Sequence, residues 1–185
     1  MPVSTGSCRP SETDPSTTGD TTTELGADMG FRRNKTTVWD GVERRRPPTV
    51  LLVNDDPDAR ELLVRFLGHA GFATTGTGRD EDAMFRMTQE LPRCAVLDMV
   101  VGGLGAGLKI LDEIRSHEDR RINTARVVLC APSPKNRSFS FQSGADAFLV
   151  RPFHLRDLVA QITDVIDRPQ DERARHRRDE LARHQ

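Results

Sequence analysis

The sequence predicts an α/β domain built on a doubly wound, five-stranded parallel sheet. From Thr49 onward, short apolar runs alternate with longer segments whose apolar residues recur at helical spacing. This alternation is typical of strands joined by crossover helices. The runs are apolar at nearly every position, as expected for strands whose two faces are both covered by helices. Right-handed crossovers between successive parallel strands then produce the doubly wound arrangement.

Five segments are predicted as strands because each is a short apolar run bounded by polar residues, glycine or proline. The second segment is the weakest, since half of it is threonine. The predicted strands are Val50–Val53, Phe72–Thr75, Cys94–Leu97, Val127–Cys130 and Ala147–Val150.

The intervening segments are predicted as helices from their spacing and from their end signals. Asp56 is predicted to cap the first helix, which Pro57 begins and Gly71 ends. Pro92 ends the second helix, and two prolines after the fourth strand leave room for only a short one. The predicted helices span residues 57 to about 71, Asp80–Glu90, Leu108–His117, Phe139–Ser143 and Leu155–Ile166.

The segments outside the predicted domain at residues 49–167 are polar. Residues 1–48 are predicted to be a disordered N-terminal tail, first rich in Ser, Thr, Gly and Asp and then basic between Phe31 and Arg46. Residues 168–185 alternate basic and acidic side chains, which predicts an exposed charged helix or a frayed tail.

Composition excludes several classes of protein. The formal net charge is -1, with acids and bases interspersed, so charge alone indicates no partner. Cys8, Cys94 and Cys130 lack the spacing of a metal site, and we expect reduced thiols. No stretch approaches the roughly 20 apolar residues of a membrane span, and the N-terminus lacks a secretion signal. These observations together predict a cytoplasmic protein.

Acidic residues follow two of the predicted strands. Asn54, Asp55 and Asp56 come directly after the first strand, and Asp98 ends the third. Parallel strands place their carboxyl ends at one edge of the sheet, where open α/β sheets bind their ligands. If the two strands are neighbours, these carboxylates converge on one pocket that could hold a divalent cation by oxygen ligands.

Three motifs, in this order, carry a resemblance to a known family. They are Val50–Pro57 (VLLVNDDP), Val96–Asp98 (VLD) and Ser143–Phe153 (SGADAFLVRPF). With them, residues 49–167 resemble the receiver domain of two-component response regulators. The resemblance implies a flavodoxin-like strand order, 2-1-3-4-5, with the site at the point where the order reverses.

The resemblance also implies a chemistry. Asp98 would be the phosphoacceptor, taking a phosphoryl group from a phosphohistidine on a histidine kinase or phosphotransfer protein. Mg²⁺ would be the cofactor, held by Asp55, Asp98 and the backbone carbonyl of Val100, with Asn54 as a candidate further ligand. The family implies a signalling module that is not an enzyme, apart from self-phosphorylation and autodephosphorylation at Asp98.

Four positions depart from the family pattern. Asn54 replaces an acid, which should weaken magnesium binding. Cys130 replaces the Ser or Thr that binds the phosphoryl group, and a thiol is a poor hydrogen-bond donor. Arg151 replaces the lysine before the proline and is longer and planar. Phe148 matches the switching aromatic but has no hydroxyl. Together these exchanges predict reduced or lost switching.

Several functions remain open. The leading hypothesis is a stand-alone receiver that signals to a downstream protein target by contact, either after phosphorylation of Asp98 or as a degenerate receiver that is read without phosphate. A different class is a small phosphatase-like or dehalogenase-like hydrolase with Asp98 as nucleophile, but those enzymes carry an Asp-x-Asp pattern after the first strand and a cap domain. Nucleic acid is not the expected partner, because both terminal basic segments also carry acids.

Overall fold

The protein folds around a five-stranded sheet in the order β2-β1-β3-β4-β5. The computed structural model describes residues 46–103 and 105–183. All four strand pairings are parallel, and helices cover both faces. The predicted fold class and the strand order implied by the family resemblance are therefore confirmed. The predicted tail at residues 1–48 lies almost entirely outside the described residues.

The strands begin and end close to where the sequence predicts them. The largest difference is at β2, which runs two residues past the predicted Thr75. This strand lies at the edge of the sheet and is only half-buried, so its sequence carries a weak apolar signal. The strands are β1 Thr49–Val53, β2 Ala73–Thr77, β3 Cys94–Asp98, β4 Arg126–Ala131 and β5 Ala147–Val150.

The described residues form seven α-helices and one short 3₁₀ turn, Pro134–Asn136. The predicted helix between β4 and β5 is displaced towards the N-terminus by about two residues and follows directly from this turn. The four-residue helix α4 was not predicted, since so short a segment has no apolar period. The helices are α1 Pro57–His69, α2 Asp80–Glu90, α3 Ala106–Ser116, α4 Arg120–Asn123, α5 Arg137–Gln142, α6 Leu155–Asp167 and α7 Gln170–Ala182.

The core lies in two layers, one on each side of the sheet. One layer packs against α2, α3 and α5, and the other packs against α1 and α6. Side chains alternate between the sides along a strand, so Asp98 faces the same side as Val96, which belongs to the α1–α6 layer. Asn54 and Cys130 follow the same alternation in their own strands. The three polar side chains therefore lie on one side of the sheet at its carboxyl edge.

The charged C-terminal segment is not fully exposed, which differs from the expectation. Residues 170–182 form α7, which packs against α5 and buries Arg173 and Glu180. Its attachment depends on ion pairs with residues distant in sequence, among them Asp146. In the part of the chain that the structure covers, no helix is both long and apolar enough to cross a membrane.

Gly107 allows α3 to begin directly against the end of β3. A Cβ atom at this position would lie 2.3 Å from the backbone oxygen of Asp98. We expect Gly107→Ala to lower the free energy of unfolding by about 2 kcal/mol, because the backbone after β3 would have to shift. Chemical denaturation followed by circular dichroism measures this change.

Gly68→Ala is the matched control, since a Cβ on this glycine of α1 would meet no heavy atom within 4 Å. We expect it to be neutral or to stabilise the protein by less than about 1 kcal/mol, because alanine has the higher helix propensity. Equal destabilisation by both substitutions would contradict the close approach at Gly107.

Candidate functional site

A pocket with a largely apolar wall and a few polar groups lies at the carboxyl edge of the sheet, where β1 and β3 are neighbours. In the sheet, β2 lies on one side of β1 and β3 lies on the other. The strand order therefore reverses at this point. The pocket has a volume of about 220 Å³, and its lining includes Asn54, Asp98, Cys130 and Arg151. The structure thus brings together four of the residues that the sequence singled out.

Asp98 is almost completely enclosed, with 2% of its surface exposed. Its Oδ1 accepts a hydrogen bond from the Val100 backbone N–H at 3.1 Å. Its Oδ2 accepts a hydrogen bond from Asn54 Nδ2 at 3.1 Å and forms an ion pair with the Arg151 guanidinium. Both carboxylate oxygens therefore have partners, and the charge of Asp98 is balanced by one cation.

Arg151 reaches this position because it directly follows β5. Its backbone N–H donates to the Ala131 carbonyl at 2.8 Å, which extends the pairing of β5 with β4 by one residue. The Arg151–Pro152 peptide bond is cis. The guanidinium is partly exposed, so it spans the distance from solvent to the buried carboxylate. The planar guanidinium carries several donors in a geometry that matches carboxylates and phosphates.

Cys130 lies beside Asp98 on the neighbouring strand, in direct register with it. Burial raises the pKa of the Cys130 thiol to about 12, and the negative charge of Asp98 adds to this effect while Arg151 opposes it. The thiol therefore stays protonated at neutral pH and is not a nucleophile there. It contributes at most a weak donor next to the carboxylate.

The Asn54 side chain has a defined orientation. Its Oδ1 accepts from the Asp56 backbone N–H at 2.9 Å, while its Nδ2 donates to Asp98. Asn54 thus presents a donor to the carboxylate, and its oxygen is occupied by the backbone. Asp56 itself caps α1, because its Oδ1 accepts from the N–H groups of Asp58 and Ala59 at 3.0 and 3.1 Å. The predicted capping role of Asp56 is confirmed.

Arg60 is a second cation near the site, and sequence reasoning missed it. Its Nη1 donates to the backbone oxygen of Asn54 at 2.7 Å, and the neighbouring Asp55 oxygen lies 3.4 Å away. The only signal in the sequence is that Arg60 comes four residues after the helix cap Asp56. This spacing is about one helical turn, which places Arg60 on the same side of α1 as the end of β1. Gly78 leaves room for the guanidinium from the β2 side.

Phe148 lies away from the pocket, on the other side of the sheet. It is buried in the layer that packs against α2, α3 and α5. The guanidinium carbon of Arg137 lies 5.7 Å from the centre of its ring. Phe148 therefore does not line the pocket that contains Asp98.

The oxygen groups near Asp98 are of the type that Mg²⁺ binds, but the net negative charge of the site is low. Asp55 is exposed directly after Asn54, and the Val100 carbonyl accepts a hydrogen bond from Gly103 N–H at 3.0 Å, which leaves it a second lone pair. Two carboxylates and a carbonyl, completed by water, are ligands that Mg²⁺ accepts. Among the described residues, however, no three His, Cys, Asp or Glu side chains cluster to hold a metal. Arg151 already neutralises Asp98.

Comparison with known proteins places this geometry in a family. A family model described as the response regulator receiver domain matches residues 50–163. The transcriptional regulatory protein GltR from Pseudomonas aeruginosa is 30% identical over 122 residues, which cover 66% of this chain and 50% of that protein. The chain thus spans about half the length of the curated relatives it matches.

Solved structures share the fold. A CheY-like response regulator receiver domain protein from Methanospirillum hungatei has a TM-score of 0.58 at 20% identity, covering 70% of this chain and 98% of its own. The response regulator TrrA from Thermotoga maritima, solved in complex with Mg²⁺ and BeF, has a TM-score of 0.56 at 25% identity, covering 64% and 98%. Since the family model spans more than half of the sequence, this chain belongs to the response regulator receiver domain family.

Proposed function

We propose that the protein is a two-component receiver that accepts a phosphoryl group on Asp98 from a histidine kinase or phosphotransfer protein. One observation carries this proposal: Asp98 is a buried carboxylate at the carboxyl end of β3, with Arg151 and Asn54 in direct contact with it. A buried carboxylate with adjacent donors is suited to become an acyl phosphate whose oxygens these donors then hold. The signal passes to a downstream protein target by contact.

In this reaction a carboxylate oxygen of Asp98 forms a bond to phosphorus, and the bond between phosphorus and the partner's imidazole nitrogen breaks. The imidazole leaves as the neutral base after taking up a proton, and hydrolysis of the acyl phosphate by water restores Asp98. The attack requires Arg151 to release the carboxylate oxygen and to move to the incoming phosphoryl oxygens. The same guanidinium therefore pairs with Asp98 in the unphosphorylated site and with the phosphoryl oxygens in the product.

Mg²⁺, when bound, supplies neutralising charge for the phosphoryl oxygens. Asp55, Asp98 and the Val100 carbonyl would hold it, and Asn54 would join them only if its amide turned over. Because Asn54 carries no charge and Arg151 is already present, we expect binding to be weak. The protein is then a signalling module without substrate turnover, apart from self-phosphorylation and autodephosphorylation at Asp98.

A second function is favoured by the same contacts. Both oxygens of Asp98 are already occupied in the absence of phosphate, and Arg151 supplies the cation. Such a site can hold one conformation permanently, so that partners read the surface without phosphorylation. The two versions differ in a single observable, which is whether Asp98 takes a phosphoryl group.

The test of phosphorylation is incubation of the full chain with acetyl phosphate and Mg²⁺, followed by intact-mass measurement. We expect an adduct of one phosphoryl group on the wild type and none on Asp98→Asn, because the amide oxygen is too weak a nucleophile. Asp55→Asn should slow the appearance of the adduct and raise the Mg²⁺ concentration that it needs.

Asp112→Asn on α3 is the control for removing an acid from the surface, and it should be phosphorylated like the wild type. If a receiver of known activity is modified under the same conditions and this chain is not, the phosphorylated version is wrong and the version with a fixed conformation stands.

Cys130→Ser places a hydroxyl beside Asp98, where the thiol is a poor donor. We expect the phosphorylated fraction at a given acetyl phosphate concentration to rise about threefold to tenfold, which corresponds to one added hydrogen bond of roughly 1 kcal/mol. Intact-mass measurement at several times gives both formation and decay.

Cys94→Ser is the matched control, because it makes the same change in a buried residue at the opposite end of β3. It should destabilise the fold to a similar degree and leave phosphorylation unchanged. An equal response to both substitutions would show that the effect comes from stability and not from the site.

A further inference from the structure

The C-terminal helix α7 is attached to the domain mainly by polar contacts. The two residues that it buries, Arg173 and Glu180, are both charged. Among its few apolar residues, Leu181 is only partly buried against the core. Helices that belong permanently to a core bury an apolar stripe, as α6 does with Leu158 and Ile162. The attachment of α7 is therefore of a different physical kind.

One end of α7 is held by a single buried carboxylate. Asp146, which directly precedes β5, has a side chain with no exposed surface. Its Oδ2 accepts from Arg173 Nη1 at 3.2 Å and from Arg115 Nη2 at 3.1 Å, and its Oδ1 pairs with Arg177. Arg173 and Arg177 are four residues apart, so they lie on one face of α7. Arg115 belongs to α3 and stays in the domain.

The other end of α7 is held by a base of the domain. Arg137 at the start of α5 donates to Glu180 at 2.6 and 3.0 Å. The same guanidinium lies over the rings of Phe141 and Phe148, at 5.5 and 5.7 Å from their centres. The domain thus presents an acid and a base, with the Phe141 ring on the same surface, and we call this the Asp146–Arg137 surface.

The middle of α7 adds a single aromatic contact. His176 meets the edge of the Phe141 ring at a distance of 5.9 Å between centres. Burial lowers the pKa of His176, and the nearby charge of Arg168 lowers it further. The docked helix therefore favours the neutral imidazole of His176.

The charged contacts of α7 hold this helix less firmly than apolar packing would. Burying charged groups carries a desolvation cost that their mutual attraction barely offsets unless every donor is satisfied. Arg173 Nε and Arg168 Nη1 are buried without a hydrogen-bond partner in the described part of the chain. Only Arg168 and Pro169 connect α6 to α7. The fully buried apolar residues of both core layers lie outside α7, so release of this helix would leave them packed on the sheet.

We propose that the Asp146–Arg137 surface is a partner-binding surface which α7 covers in cis. Its ligand in trans is a helix of a partner protein that carries two basic residues four positions apart and an acidic residue three positions after the second. This is the spacing of Arg173, Arg177 and Glu180. The inference deepens the proposed function by naming the chemistry of the downstream protein target, and it does not depend on phosphorylation of Asp98.

The test uses a fluorescent synthetic peptide with the sequence of residues 168–183, titrated into the full chain and followed by anisotropy. In Arg173→Gln/Arg177→Gln the covering helix is weakened while the domain surface is intact. We expect the peptide to bind this variant about tenfold more tightly than the wild type, because the competing helix no longer occupies the surface. Glu180→Gln weakens the opposite end of α7 and should act in the same direction, so the test survives if the double variant does not fold.

Two controls assign the binding to the surface. Arg175→Gln/Arg178→Gln removes the same charge from exposed positions of α7 and should bind the peptide like the wild type. Adding Arg137→Gln to the double variant should abolish binding, because Glu180 of the peptide loses its ion pair with the domain.

Two results would overturn the proposal. If the peptide fails to bind the folded variants with a weakened α7, the surface takes no helical ligand. If it binds the wild type equally well, α7 does not cover the surface. Since the titration contains neither Mg²⁺ nor a phosphodonor, its failure leaves the phosphorylation of Asp98 untouched, and the absence of phosphorylation leaves this titration untouched.

Discussion

The ion pair between Asp98 and Arg151 is the interaction on which the site depends. A carboxylate with 2% of its surface exposed needs a counter-charge and hydrogen-bond donors to offset the loss of its hydration. Arg151 supplies the charge, and Asn54 and the Val100 N–H supply donors. The parallel register of β3 and β4, and the end of β5, bring these groups to one place. The strand pairings that define the fold therefore also position the residues of the site.

The residues around Asp98 together leave the site with little uncompensated negative charge. Asn54 removes a negative charge, Arg151 offers a broad cation that pairs with Asp98, and Arg60 adds positive charge over the end of β1. Cys130 offers little to a phosphoryl group. The result is a site whose buried carboxylate is already paired, so that a metal ion or a phosphoryl group would have to compete with the existing contacts.

Much of the fold could be predicted from the sequence because buried parallel strands are written as continuous apolar runs. The bounds of the edge strand β2 differ from the predicted ones by one and two residues, and the short helix α4 has no sequence signal, since neither segment has a strong apolar period. The burial of Arg173 and Glu180 could not be foreseen, because their partners Asp146 and Arg137 are distant in sequence. At the site, the motifs single out Asn54, Asp98, Cys130 and Arg151, but the orientation of the Asn54 amide and the contact of Arg60 follow from three-dimensional packing alone.

The most direct measurement of the central claim is the Mg²⁺ affinity of the full chain, determined by isothermal titration calorimetry for the wild type and Arg151→Gln. Arg121→Gln serves as control, since this exposed arginine lies at the opposite edge of the sheet, before β4. If the ion pair holds Asp98, Arg151→Gln binds Mg²⁺ more tightly than the wild type and the control. An unchanged or weaker affinity in Arg151→Gln would contradict the claim that Arg151 keeps Asp98 neutralised.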